Sequence, residues 1–313
     1  MNKNYYLGID VGGTKVEGAL ALLNTESHSI AVLSKKRIPS IHNVDSFIDS
    51  LVRIIHDLIN DSGVSILNIR AIGIGLPGSL DPNSSVMLNG NTQFLIGVDI
   101  IQRLQSSLSM NLPIIAENDA NLFTLAEAWG GVGQRFFKEK SIPYSKQVAV
   151  GVTLGTGVGG GLVALGRVLN GAHGSAMEVG HISLNPEGPE CYCGQRGCAE
   201  TYLSGTALNK LMDSKELFLK ARESDSPSSD ILKNYRKHML HFLSILNNLF
   251  NPHYFVFGGG LSNQQVIFND LEEQLSSNIF LPSRYSPPIY INELGDSAGL
   301  FGAMIHAHET LSS

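Results

Sequence analysis

The 313-residue chain has three cysteines, and all of them, Cys191, Cys193 and Cys198, fall within eight positions, ten residues after His181. One imidazole and three thiolates match the tetrahedral N/S preference of Zn²⁺, and four protein ligands make a closed, structural site. Gly194 and Gly197 let the chain turn tightly around such an ion. Free buried cysteines or a redox pair are the competing readings. Cys191-x-Cys193, however, is shorter than the C-x-x-C redox spacing. Glu178 stands about one turn before the histidine, and Glu200 two residues after the last thiolate. A histidine that binds metal through one nitrogen keeps its other N–H free to donate. The ion therefore reads as a brace that holds His181, Glu178 and Glu200 around a polyhydroxyl ligand, without touching the reaction itself.

A second constellation is "AENDAN", which sets Asn118 and Asp119 between a strand and a helix. Both residue types are preferred N-caps, so capping is one reading. The other makes Asp119 the acceptor of a proton from an attacking hydroxyl and Asn118 the orienting group. Asn89 and Asn91, in "NGNTQFLIG", are weaker candidates for hydroxyl contacts.

Two glycine-rich loops, "LGIDVGGTK" (7–15) and "LGTGVGGG" (154–161), each follow an apolar strand. Glycine lets the backbone approach a ligand closely. Thr14 and Thr156 can add a hydroxyl donor to a phosphate oxygen, and Asp10 can hold a Mg²⁺ that in turn holds the phosphates. The second loop contains a formal G-x-G-x-x-G with Glu178 near the ribose-binding offset. A dinucleotide fingerprint must open a helix, and "GLVALGRVLNG" lacks helical periodicity. The P-loop pattern is absent. Either loop alone is also readable as a hairpin turn. Two related strand–turn–strand units about 140 residues apart point to a duplicated domain gripping one nucleotide from both sides.

Alternating strands and helices must position these groups, an α/β pattern. Strands are expected at "YYLGID", "VEGALAL", "IRAIGIGL", "LPIIAEN", "VAVGVTL" and "HYFVFG". Phe47, Leu51, Ile54, Ile55 and Leu58 share one face of an amphipathic helix. Further helices are expected at "DANLFTLAEAWGG", ending at Gly130 and Gly131, from Ile231 to Leu249, and at "GDSAGLFGAMIHAHETL". Residues 132–147 read as an irregular, exposed connection, and 213–230 as a short helix and a loop.

Net charge is −6 with pI near 5.9, so the chain has no basic footprint for nucleic acid or an anionic membrane. It shows neither a secretory signal pattern nor an apolar run of about 20 residues. A cytoplasmic location with reduced thiols is expected. The odd cysteine count argues against a disulfide framework. The length allows one large domain or two ordinary ones.

From end to end the chain resembles the ROK family of sugar kinases. The motifs are "DVGGTK", "GIGLPGS", "ENDAN", "LGTGVGGG", "EVGH", "CYCGQRGCAE", "FGGGLS" and "GDSAGLFGA", in family order. The resemblance implies an actin-like (ribonuclease H-like) ATPase fold with two α/β domains flanking an active-site cleft, 1–117 plus 296–313 and 118–295. It implies phosphate loops at Asp10, Gly12, Gly13, Thr14 and Lys15 and at Thr156 and Gly157, and an adenosine site at Gly258, Gly259 and Gly260. Asp119 matches the general base. Asn118, Glu178, His181 and Glu200 match sugar contacts, and His181 with the three cysteines the zinc ligands. A homodimer is expected. Six residues precede the first loop, too few for the DNA-binding segment of ROK repressors.

These readings converge on an enzyme using ATP, Mg²⁺ and a structural Zn²⁺. It would phosphorylate the 6-hydroxyl of a hexose, with fructose, glucose or mannose favoured. An N-acetylglucosamine or N-acetylmannosamine kinase and a non-catalytic sugar sensor are the alternatives, and a dehydrogenase a remote one. One position departs from the pattern: many sugar-kinase members have glycine where this chain has Met177, so the pocket around the sugar is expected to differ there.

Overall fold

The computed structural model describes residues 4–90, 92–221 and 226–312. Two five-stranded mixed sheets form its frame. The first is built from β1 (Tyr5–Val11), β2 (Lys15–Asn24), β3 (Ser29–Pro39), β4 (Ile69–Leu76) and β5 (Ile114–Asn118), in the order β3-β2-β1-β4-β5. The second is built from β6 (Val148–Leu154), β7 (Val158–Ala164), β8 (Arg167–Val168), β9 (Tyr254–Gly258) and β10 (Ile289–Ile291), in the order β10-β9-β6-β7-β8. In each, the first strand forms an antiparallel hairpin with the second and pairs in parallel with the fourth. The duplication expected from the two glycine loops is thus present in the topology of both sheets. Each loop is the turn of the leading hairpin, closing at Val11–Val16 and at Leu154–Val158.

The helices are α1 (Val44–Ser62), α2 (Ile100–Ser107), α3 (Asp119–Gly130), α4 (Val132–Lys140), α5 (Glu200–Leu203), α6 (Gly205–Asn209), α7 (Ser214–Ala221), α8 (Ser226–Phe250), α9 (Gln265–Phe268), α10 (Leu271–Ser276) and α11 (Ala298–Ser312). Helix α1 starts where the Asn43 side chain accepts from Ser46 N and stops at Gly63 in the left-handed conformation, the expected start and stop chemistry.

Side-chain alternation along the strands divides the interior into three cores. Leu7, Ile9 and Val11 of β1 pack with Leu51, Ile55 and Leu58 of α1. Val150, Val152 and Leu154 of β6 pack with Phe242 and Leu246 of α8. The opposite faces, with Tyr6 of β1, Ala149 of β6 and Tyr254 of β9, share a third core with α3 and α11. These two helices therefore lie between the sheets, and α3 carries Asp119 at its first position. The approach is close: a Cβ on Gly73 of β4 would overlap the Ala303 carbonyl of α11.

The structure revises the reading of two segments. Residues 132–140 form α4 rather than an irregular stretch, because Val132 and Phe136 pack into the central core. Gly131 separates two helices instead of ending the helical run. The buried Glu127 carboxylate fixes that corner, accepting from Val132 N, Glu293 N and Leu294 N. Helix α8 also begins at Ser226, so the loop expected up to residue 230 is helical from there; residues 222–225 of it lie outside the described residues. Among the described residues, no helix is long and apolar enough to cross a membrane.

Candidate active site

The two hairpin turns open into one cleft of about 640 Å³. The first turn is closed by Gly12 N donating to Lys15 O at 2.8 Å, the second by Gly155 N donating to Gly157 O at 3.0 Å. Gly12, Gly13, Thr156 and Gly157 line the cleft, as does Gly259, whose φ of +83° and closeness to the Leu154 carbonyl admit no side chain without strain. Lys15 borders a smaller neighbouring cavity together with Gly259 and Asp296. Thr14 is exposed, Gly258 lies beneath the surface against Phe123, and Gly260 opens the turn that follows.

At the junction of β5 and α3 the capping question resolves. Asn118 is the cap: its Oδ1 accepts from Ala120 N at 2.9 Å and Asn121 N at 3.2 Å, while its Nδ2 donates to Gly78 O. Asp119 is left half-buried on the cleft wall. Burial, together with the negative charges of Asp10 and Glu178, raises its pKa to about 7, against the opposing backbone hydrogen bonds from Ala120 N and its own N–H. Asp10, at the end of β1, is raised to about 6 by burial and by Glu17.

Across the cleft, the Ser79 hydroxyl donates to Glu178 Oε1 at 3.0 Å, and Ser79 N donates to Asn89 Oδ1 at 2.9 Å. Glu200 Oε2 accepts from Val158 N at 2.9 Å, which ties the start of α5 to the second glycine turn. Asn91 lies outside the described residues. Ser79 and Tyr192 also line the cleft and were not among the residues singled out from the sequence. Ser79 falls inside "LPGS", so that stretch held a usable signal. Tyr192 was hidden between two cysteines read only as ligands.

The ligand atoms of His181, Cys191, Cys193 and Cys198 lie within 4.8 Å of one another. Cys193 Sγ and Cys198 Sγ are 3.6 Å apart, and His181 Nδ1 is 3.6 Å from Cys191 Sγ. A tetrahedral zinc ion with its usual bond lengths separates such atoms by about 3.5–3.8 Å, so these two pairs match it, and the donor types and clustering of all four residues suit it. His181 presents Nδ1 to the thiols, while Nε2 lies 3.2 Å from the Tyr192 hydroxyl at the cleft.

Met177 adopts φ +65° and is 8% exposed. The position demands the left-handed backbone that glycine adopts freely. The Met177 side chain joins the core with Val158, Leu162 and Val179 and also borders the cleft. Met177→Gly relieves about 1–2 kcal/mol of backbone strain but removes a buried side chain worth about 2–5 kcal/mol. The variant is therefore expected to be less stable, by up to about 4 kcal/mol, measured by chemical denaturation.

The ROK family model matches residues 6–310. This chain belongs to the ROK family. It is 32% identical over 329 aligned positions to an N-acetyl-D-glucosamine kinase of Pectobacterium atrosepticum, covering 96% of this chain and 98% of that one. It is 30% identical to a protein of the same name from Haemophilus influenzae, covering 95% and 97%. Among solved structures, a ROK hexokinase from Thermus thermophilus superposes with a TM-score of 0.81 at 28% identity over 98% of this chain and 99% of that one. A Streptomyces griseus ROK glucokinase, solved with glucose and AMPPNP, shares the fold with a TM-score of 0.77 at 24% identity, covering 98% of this chain and all of that one. The neighbours have the actin-like ATPase fold, and the two α/β sheets conform to it.

Proposed function

We propose that this enzyme, a ROK sugar kinase, transfers the γ-phosphoryl group of MgATP to the 6-hydroxyl of N-acetyl-D-glucosamine. The observation that carries the reading is Asp119: a carboxylate raised to about 7 on the wall of the cleft into which both glycine turns open. A general base works best with its pKa near the working pH. Asp119 takes the proton of the sugar hydroxyl as it attacks phosphorus. The two turns cradle the phosphates, and the polypeptide on either side of Gly259 borders the adenosine. Asp10 is the candidate to hold the Mg²⁺ that accompanies the nucleotide and neutralises charge on the phosphates. Asn118, Glu178, His181 and Glu200 hold the sugar, with Asn91 as a further candidate.

A zinc ion on His181 and the three cysteines would supply rigidity, not chemistry. With Nδ1 bound to the metal, Nε2 would carry the N–H and would be free to donate toward the sugar. The cleft is taken to separate residues 1–117 with 296–313 from 118–295, and the active form to be a cytoplasmic homodimer.

The curated relatives named above support N-acetylglucosamine as substrate, which was the alternative at the level of sequence. A simple hexose is the second reading, favoured by the similarity to the Thermus hexokinase. Competition decides between them. With N-acetylglucosamine, N-acetylmannosamine, glucose, mannose and fructose present together, the 6-phosphate of N-acetylglucosamine is expected to accumulate first, followed by phosphorus NMR. Preferential phosphorylation of fructose or glucose would replace this substrate with a hexose. An intact fold that binds sugar without turnover would leave the sensor.

A further inference from the structure

Directly before the Asn118–Asp119 pair stands Glu117, a carboxylate 7% exposed. Its Oε1 accepts from Asn118 N at 2.8 Å and from Asn121 Nδ2 at 3.0 Å. Its Oε2 accepts from Asn170 Nδ2 at 2.6 Å, with His306 Nε2 of α11 at 3.8 Å. Buried charge-assisted bonds of this kind are stiff and strongly distance-dependent. Asn170 begins the loop that presents Glu178. Its own carbonyl accepts from Ala176 N at 3.1 Å, so the loop closes on it, and Met177 and Glu178 follow at once. Upstream, Leu169 N still bonds to Leu162 O of β7. The loop is thus anchored to a strand on one side and, through Asn170, to the end of β5 on the other. The two partners lie 53 positions apart in the chain.

We propose that the Glu117–Asn170 bond is a tether that sets the Glu178 loop against the Asp119 corner, making both members positioning residues for the sugar. The proposal rests on the sugar-kinase reading above. Glu117 and Asn170 need not touch substrate. One carboxylate grips the backbone of Asn118 through one oxygen and the substrate loop through the other. The spacing between the two sides of the sugar site is then fixed by a single buried group. An error of about 1 Å in such positioning is enough to cost about a hundredfold in rate.

The test is a charge swap read in steady-state kinetics of the zinc-loaded enzyme. Asn170→Asp sets two carboxylates at hydrogen-bond distance and is expected to raise the sugar KM more than about tenfold, with the ATP KM within about twofold. Adding Glu117→Gln to Asn170→Asp rebuilds the bond with its polarity reversed. The introduced amide can donate to the new carboxylate while its oxygen still accepts from Asn118 N. The double variant is expected to return the sugar KM to within about threefold of wild type. If Asn170→Asp does not fold, Asn170→Ala is read in its place and is expected to raise the sugar KM about fivefold or more. A residue that merely supports the fold would lower thermal stability without separating the two KM values. A sugar KM within about twofold of wild type in Asn170→Ala, or a double variant no better than Asn170→Asp, overturns the tether while leaving the kinase reading standing. A wild-type enzyme that turns over no sugar overturns both.

Discussion

Replacing Asp119 with asparagine is expected to lower kcat by about 10²–10⁴-fold, while sugar affinity stays within about threefold of wild type. Asparagine fills the same space and can still accept from Ala120 N, so what disappears is the capacity to take a proton. The pH dependence follows from the same group. Only ionised Asp119 acts as a base, so kcat/KM of the wild type falls as pH drops through about 7 and levels off above it. Stability moves the other way. A carboxylate whose pKa is raised on folding contributes its stability below its ordinary value of 3.8 and loses it as pH rises toward about 7. Asp119→Asn is therefore expected to melt higher than wild type at pH 8, with the difference closing toward pH 4. Turnover near the wild-type rate in this variant would remove Asp119 from its role.

Cys198→Ser is expected to strip the chain of zinc and raise the sugar dissociation constant by about 10–100-fold. Cys198 is fully buried, 3.6 Å from Cys193 Sγ and 3.5 Å from the His181 carbonyl. A hydroxyl there is a poor, harder ligand, and three remaining donors do not close a tetrahedral structural site. Loss of the ion frees His181, whose Nε2 faces the cleft. It also frees the residues leading to Glu200, which bonds the second glycine turn through Val158 N. The damage is therefore expected to reach both the proposed sugar side and the proposed phosphate side of the cleft. Metal content by mass spectrometry and sugar binding by calorimetry check the two parts separately. Metal-free protein that binds sugar as tightly as wild type would refute the brace.

What could be read along the chain was what is local in sequence. The strands at 5–11, 69–76 and 148–154 and the amphipathic α1 declare themselves by apolar period. The four candidate metal ligands fall within eighteen positions, close enough for spacing to mark them as one cluster, and the structure brings them together. Strand β3 went unread because Val32 and Leu33 are exposed on the sheet edge and break the alternation that marks a half-buried strand. Helix α4 was missed because its apolar face, Val132 and Phe136, is too sparse to show periodicity and is satisfied by the distant Tyr254.

The site follows the same division. Asp119, Glu178 and His181 were legible as residue types beside recognisable turns. Their mutual arrangement was not, because it depends on contacts such as Ser79 with Glu178 and Glu117 with Asn170, which join residues 99 and 53 positions apart. Met177 was visible as a departure, but the reason for its importance is a backbone dihedral that no residue pattern displays.

On the proposed function, the cleft moves phosphate from ATP to a sugar by way of Asp119. A coupled ADP-release assay with MgATP and a panel of N-acetylated and simple hexoses, run on wild type and Asp119→Asn side by side, tests it most directly. The expected result is one clearly preferred sugar, rapid turnover by the wild type and almost none by the variant. Silence of the folded, zinc-loaded wild type on every sugar, or equal rates for the two proteins, would contradict it.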